Sequence, residues 1–240
     1  MKTQSHTESG SILFWLFIAV ALFAALGFAV ANINRGGGNS SLGELSKMKA
    51  TDIMQYTSAI QRSIRIMRIE NVDETALCFH TVQWGHTNYE FNPQCTEDRN
   101  RVFHPAGGAI GFQENVSDWY DSGISLAEGG EWIFSARYEV ANVGTDGGTA
   151  NSEDGSVDLL IITAPLIDTV CEGINKLLGY NPATPPAVPA TTYNDLRTNK
   201  FTGTYVGENG SRIGDLGRER CVTVPDSPAF NMYYKVILAR

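Results

Sequence analysis

From Ile12 to Ala31 the chain carries no charged, amide or hydroxyl side chain: ILFWLFIAVALFAALGFAVA. About 20 residues at a rise of about 1.5 Å each match a hydrocarbon layer of about 30 Å, so the pattern predicts a single membrane-crossing helix. Behind it, NINRGGGNS interrupts the apolar run. Three consecutive glycines cost a helix about 1 kcal/mol each relative to alanine, which predicts a break over residues 34–40. Ser41 and Glu44 then form a capping-box signature, and helix is expected from there to Glu70. Ile53, Tyr56, Ile60, Ile64 and Met67 recur at spacings of three and four, one apolar stripe. The stripe is expected to pack on the protein's own sheet, the alternative being contact with neighbouring subunits. Arg62, Arg65 and Arg68 lie off it, as a solvated flank.

Beyond residue 70 the period changes. ALCFHTVQW (76–84), WIFSARYEVANV (132–143) and VDLLIIT (157–163) are rich in aromatic and β-branched residues and read as strands. Pro165 fits the first turn of a helix with a buried face of Leu166, Ile167, Val170, Ile174, Leu177 and Leu178, stopped by Gly179. NPATPPAVPATTYN reads as an extended connection. Residues 201–207, 221–224 and 231–239 complete the chain as three strands. The predicted class is α+β: a long N-terminal membrane and amphipathic helix, then a mainly antiparallel sheet with one inserted helix. The expected organisation is a leader (1–10), a membrane helix (11–33), a Gly-rich break (34–40), an amphipathic helix (41–70) and a globular β-rich domain (71–240).

Four cysteines, Cys78, Cys95, Cys171 and Cys221, all follow the apolar run, and none forms C-x-x-C. An even number predicts two disulfides and an oxidising compartment. Four cysteines allow three connectivities; proximity along the chain favours Cys78–Cys95 and Cys171–Cys221. The positive-inside count gives no orientation, since Lys2 precedes the run and Arg35, Lys47 and Lys49 follow it. The cysteines therefore place the C-terminal domain outside the inner membrane. The net charge of −8 argues against nucleic acid as a partner. Two processing sites compete. Ala29-Val30-Ala31 is a small-x-small pattern that a signal peptidase could cut. A cut between Gly10 and Ser11, after the polar leader MKTQSHTESG, would keep the helix.

The leader, apolar helix, amphipathic continuation and cysteine-stapled sheet together resemble a type IV pilin-like protein. SGSILFWLFIAVALFAALGFAVA, VFHPAGGAI, DLLIITAPLIDTVCEGINKLLGYN and YYKVILAR are similar to stretches of uncharacterised pilin-like proteins of Gram-negative bacteria. The resemblance implies cleavage by a prepilin peptidase between Gly10 and Ser11, and assembly with other pilin-like subunits through the apolar helix. The chain departs from the family at three places: Trp15 stands where pilins carry a glutamate, Ser11 where they carry an aromatic residue, and the RGGG stretch interrupts what is there a continuous helix. Without that carboxylate, helix packing would rest on small residues such as Ala24 and Gly27. This points to a low-copy subunit.

No G-x-S-x-G, H-E-x-x-H, P-loop or G-x-G-x-x-G motif occurs, and no catalytic set, cofactor or metal is expected. His80 and His86 would share a face of a continuous strand but have no evident third ligand. The acidic stretch from Asp146 to Asp158, with Glu153 and Asp154, could offer calcium its carboxylates, yet lacks EF-hand spacing. Two functions remain: a structural subunit (minor pilin or pseudopilin) of a type IV pilus or type II secretion-like filament, or a membrane-anchored or secreted periplasmic binding domain that joins no filament.

Overall fold

The computed structural model describes residues 10–80, 93–114, 116–127, 129–144, 157–181, 184–189, 191–205 and 212–240, without the side chains of 10–13, 27–42, 93–94, 191 and 212. The chain forms two compact units, Met1–Leu45 and Ser46–Arg240.

Helix α1 is assigned over Gly10–Ile69. Residues 34–40, where a break is expected, are therefore helical, and Ser41 and Glu44 have no helix start to cap. Glycine's penalty is a cost of about 1 kcal/mol per residue and not a prohibition, so helix on either side can carry three glycines. In the first unit eight large apolar side chains between Phe14 and Leu26 are exposed, while Ile18 is half-buried. Among the described residues no helix is long and apolar enough to cross a membrane; within the run 12–31, side chains are described for 14–26 only.

The second unit is built on a sheet of β1 (Ile133–Val140), β2 (Asp158–Leu166), β3 (Arg212–Ile213), β4 (Glu219–Val224) and β5 (Phe230–Leu238), in the order β3-β1-β2-β5-β4. Four strands pair antiparallel; the two-residue β3 joins β1 in parallel. Both faces are covered. Leu159, Ile161 and Tyr233 point into a core shared with Ile53, Ile60 and Ile64 of α1. Leu160, Ile162 and Tyr234 point the other way, among Tyr193 and Leu196. A strand buried on both faces reads as a continuous apolar run, which is why VDLLIIT shows no alternation. The α1 stripe packs inward, as expected: Ile53, Ile60, Ile64 and Met67 are buried, and Tyr56 meets Trp132 with ring centroids 5.3 Å apart.

Several sequence-based expectations are corrected. Pro165 does not start a helix. It lies inside β2, after a cis Ala164–Pro165 bond, within the register shift between Thr163 and Leu166 where the ladder needs no N–H from it. Helix α2 begins later, at Asp168–Leu177, and buries Val170, Cys171, Ile174 and Asn175, while Leu177 is exposed. A second helix, α3 (Thr191–Thr198), replaces the end of the expected extended connection. Its local propensity is low, but Tyr193 and Leu196 are buried, and Tyr193 packs edge-on to Phe230 at 5.2 Å. Residues 76–80 make a 3₁₀ turn (Glu74–Ala76) and a lone bridge from Cys78 to Arg101 in place of a strand; 81–92 lie outside the described residues. Residues 201–205 are not a strand either. Their aromatic pattern serves ring packing: Phe201 meets Phe79 at 6.0 Å and Tyr205 at 5.3 Å, and Phe79 stacks on Phe134.

The β4 edge is closed by other backbone and by one side chain. Thr223 N–H donates to the Pro186 carbonyl and its own carbonyl accepts from Val188 N–H. Asn175 of α2 donates to the Cys221 carbonyl at 3.0 Å and accepts from its N–H at 3.1 Å, so its amide pairs with β4 as a strand would. An edge occupied in this way cannot template pairing with another chain.

Candidate functional site

Both predicted disulfides form. Cys78–Cys95 ties the turn after α1 to the loop that follows, and Cys171–Cys221 ties α2 to β4, with Cα atoms 5.3 and 5.4 Å apart. Cys171 and Asn175 stand one helical turn apart, so the covalent and the hydrogen-bonded links between α2 and β4 are adjacent. At the predicted processing and assembly positions, Gly10 opens α1 and Ser11 is helical. Trp15 and Ala24 are exposed, and the surroundings of Gly27 lie outside the described residues. Of the two histidines, His80 is half-buried next to Phe79 and His86 lies outside the described residues, as do 146–156 of the acidic stretch. Among the described residues no group of three or more His, Cys, Asp or Glu side chains is placed to hold a metal ion.

A cleft of about 390 Å³ opens where β2 ends, β5 begins and α2 starts. Its floor is apolar, with Ile124, Leu166 and Phe230; its rim carries the carboxylates of Asp121, Asp168 and Glu172. Asn231, buried at the start of β5, donates to Asp168 at 2.7 Å and lies 3.1 Å from the Thr223 hydroxyl that donates to it. The Gly123 N–H holds Asp121 at 2.9 Å. Three carboxylates, those of Asp121 and Asp168 held by hydrogen bonds, with no basic side chain in the described lining, make the cleft an acceptor for cationic or hydrogen-bond-donating groups. Asp168 and Glu172 are spaced i, i+4 on α2, a pattern present in the sequence that carries no signal until the loop with Asp121 is folded beside it.

A buried polar seam joins α1 to β5. Lys235 Nζ lies 2.9 Å from Glu219 Oε2 and donates to Ser58 Oγ at 2.8 Å. Tyr233 donates to Glu219 Oε1 at 2.6 Å and shares a hydrogen bond with Thr57 at 2.9 Å. Gln61 donates to the Val236 carbonyl. Burial, with the nearby Glu219 charge adding to it, pushes the Tyr233 hydroxyl well above its ordinary range, so it stays a donor. Lys235 in the middle of YYKVILA is the one trace of this seam in the sequence.

A second buried polar group is Asp158, the first residue of β2. It accepts from Val140 N–H at 2.8 Å and from Arg240 N–H at 3.2 Å. Burial pushes its carboxyl up to about 7, and Glu139 adds to the rise; the two N–H donors and Arg218 pull the other way.

Comparison with protein-family models, with curated protein sequences and with solved structures finds no match to this chain.

Proposed function

We propose that this chain is a membrane-anchored, pilin-like structural subunit, a minor pilin or pseudopilin of a type IV pilus or type II secretion-like filament. The observation that carries the reading is the surface of α1 between Phe14 and Leu26. Eight large apolar side chains there, Trp15, Phe17 and Phe23 among them, are between 59% and 76% exposed. At about 100° per residue these positions point all round the helix. A helix that is apolar on every side belongs in lipid or among other helices. The Ile53–Met67 stripe is buried within the second unit, so that stripe is not the surface available to neighbouring subunits. The apolar run continues in sequence to Ala31, long enough to span a bilayer, and the polar leader precedes it. Trp15 in place of a carboxylate suits a low-copy subunit that joins filaments made by other proteins. In this reading the chain is not an enzyme and takes no cofactor.

The mature N-terminus tests the proposal. Intact mass or N-terminal sequencing of protein from cells with and without a prepilin peptidase should show a start at Ser11 that requires the peptidase. A start at Asn32 would remove the helix and overturn the reading. The cleft of about 390 Å³ favours a second reading, a periplasmic binding domain that joins no filament.

A further inference from the structure

The walls of the cleft where β2 ends, β5 begins and α2 starts are fixed by contacts outside it. On one side, α2 carries Asp168 and Glu172. It is tied to β4 by the Cys171–Cys221 disulfide and by Asn175. Gly173 lets it lie close to α1, since a Cβ there would stand 3.2 Å from the Ala50 side chain. On the other side is the loop with Asp121 and Ile124. The Asp121 N–H donates to the Pro165 carbonyl at 3.0 Å, and Lys49 Nζ to the Asp118 carbonyl at 2.8 Å. Between the walls, the buried Asn231 holds one oxygen of Asp168. Walls held in this way do not have to be ordered by a ligand, which spares it that cost. The volume of about 390 Å³ lies within the range of small-ligand sites, about 300–1,000 Å³.

We propose that this cleft binds a primary ammonium on an alkyl stem, with the ammonium at the carboxylate rim and the stem along the apolar floor. Three observations select that chemistry. Among the described residues no cationic side chain pairs with Asp121, Asp168 or Glu172, and Lys49 nearby is spent on a backbone carbonyl. The three carboxylates line one cleft, yet among the described residues they are not placed to hold a metal ion. A divalent cation needs its oxygens drawn in to about 2.0–2.6 Å, whereas an ammonium is served by separate hydrogen bonds to oxygens that stay apart. The floor is Ile124, Leu166 and Phe230, from which a bare cation gains nothing. Each CH₂ of a stem buried there should tighten binding about fourfold. The inference rests on the binding reading of the cleft and holds whether or not the chain joins a filament, which the mature N-terminus decides separately.

The test is a titration of the full chain in nonionic detergent micelles with cadaverine, a linear alkyl diamine, followed by amide shifts in NMR. Saturable shifts should gather at Gly123, Glu172 and Asn231 and leave Ile60 unmoved, with a Kd of about 1 mM or tighter. Asp168→Asn should weaken binding about tenfold or more, the worth of one charged hydrogen bond, and Glu172→Gln repeats the measurement if that variant does not fold. Pentanol, the stem without the charge, and calcium, the charge without the stem, should each bind about tenfold more weakly than cadaverine or worse. A lysine side chain offers the same group and stem, so a blocked lysine peptide is titrated in parallel. Tighter binding of the peptide names a partner's lysine as the source, and tighter binding of cadaverine a free amine; either upholds the site. No saturable shift with either probe, equal shifts at acids outside the cleft such as Asp52, affinity unchanged in the variants, or calcium binding as tightly as cadaverine would overturn the proposal.

Discussion

Replacing Lys235 with Met tests the polar seam between α1 and β5. The Lys235 and Glu219 side chains are only 8% and 15% exposed and 2.9 Å apart. At that separation and an effective dielectric constant of about 20, their attraction is about 6 kcal/mol before desolvation is counted. Desolvation of both charges offsets much of this, so the intact pair contributes little net stability. Removing only the cation is different. Glu219 then stays buried with Tyr233 as its remaining hydrogen-bond partner, and Ser58 loses a donor. Lys235→Met should destabilise the protein by about 3–5 kcal/mol. The double variant Glu219→Leu, Lys235→Met leaves no unpaired charge, and Tyr233 keeps Thr57 as a partner. It should lie within about 1–2 kcal/mol of the wild type. Equilibrium urea unfolding of the full chain in micelles, followed by near-ultraviolet circular dichroism, reads both numbers. Equal losses in the single and double variants would refute the argument, because the single loss could not then be the cost of an orphaned carboxylate.

Ile60→Ala or Ile64→Ala should each cost about 2–5 kcal/mol, since both side chains are fully buried against the sheet; wild-type thermal stability of the double variant would show that the stripe faces elsewhere. Non-reducing mass spectrometry should find all four cysteines oxidised, and recovery of four alkylatable thiols from native protein would rule this out. Loss of Cys171–Cys221 (sequence separation 50) should cost more than loss of Cys78–Cys95 (separation 17), about 4 against about 3 kcal/mol in the chain-entropy account; the reverse order in unfolding of Cys→Ser pairs would contradict it. Gly27→Leu should reduce co-purification with filament fractions while the outer domain stays folded, and unchanged incorporation would count against helix packing at that small residue.

What the sequence by itself determined follows from short-range rules. The stripe Ile53–Met67 repeats with the helical period over several turns, and burial of one face is the only outcome that hides it. VDLLIIT and NMYYKVILA are long, apolar and β-branched or aromatic, and both became inner strands. Chain proximity favoured one of three possible cysteine pairings, 78 with 95 and 171 with 221, and the folded chain is what selects it. Tertiary structure decided the rest. Pro165 sits in a strand because a register shift relieves it of a ladder bond, and no local rule contains that shift. Thr191–Thr198 is helical because Tyr193 and Leu196 find a second face of the sheet to cover. Residues 76–80 and 201–205 look like strands in composition, yet their aromatic side chains pack against rings brought from other elements, and only part of their backbone is paired. Asn175, Lys235 and Asp158 are unremarkable polar letters in the sequence. Each matters because folding carries it out of water beside a partner far along the chain, and hydrogen-bond geometry and desolvation exist only once that approach has been made.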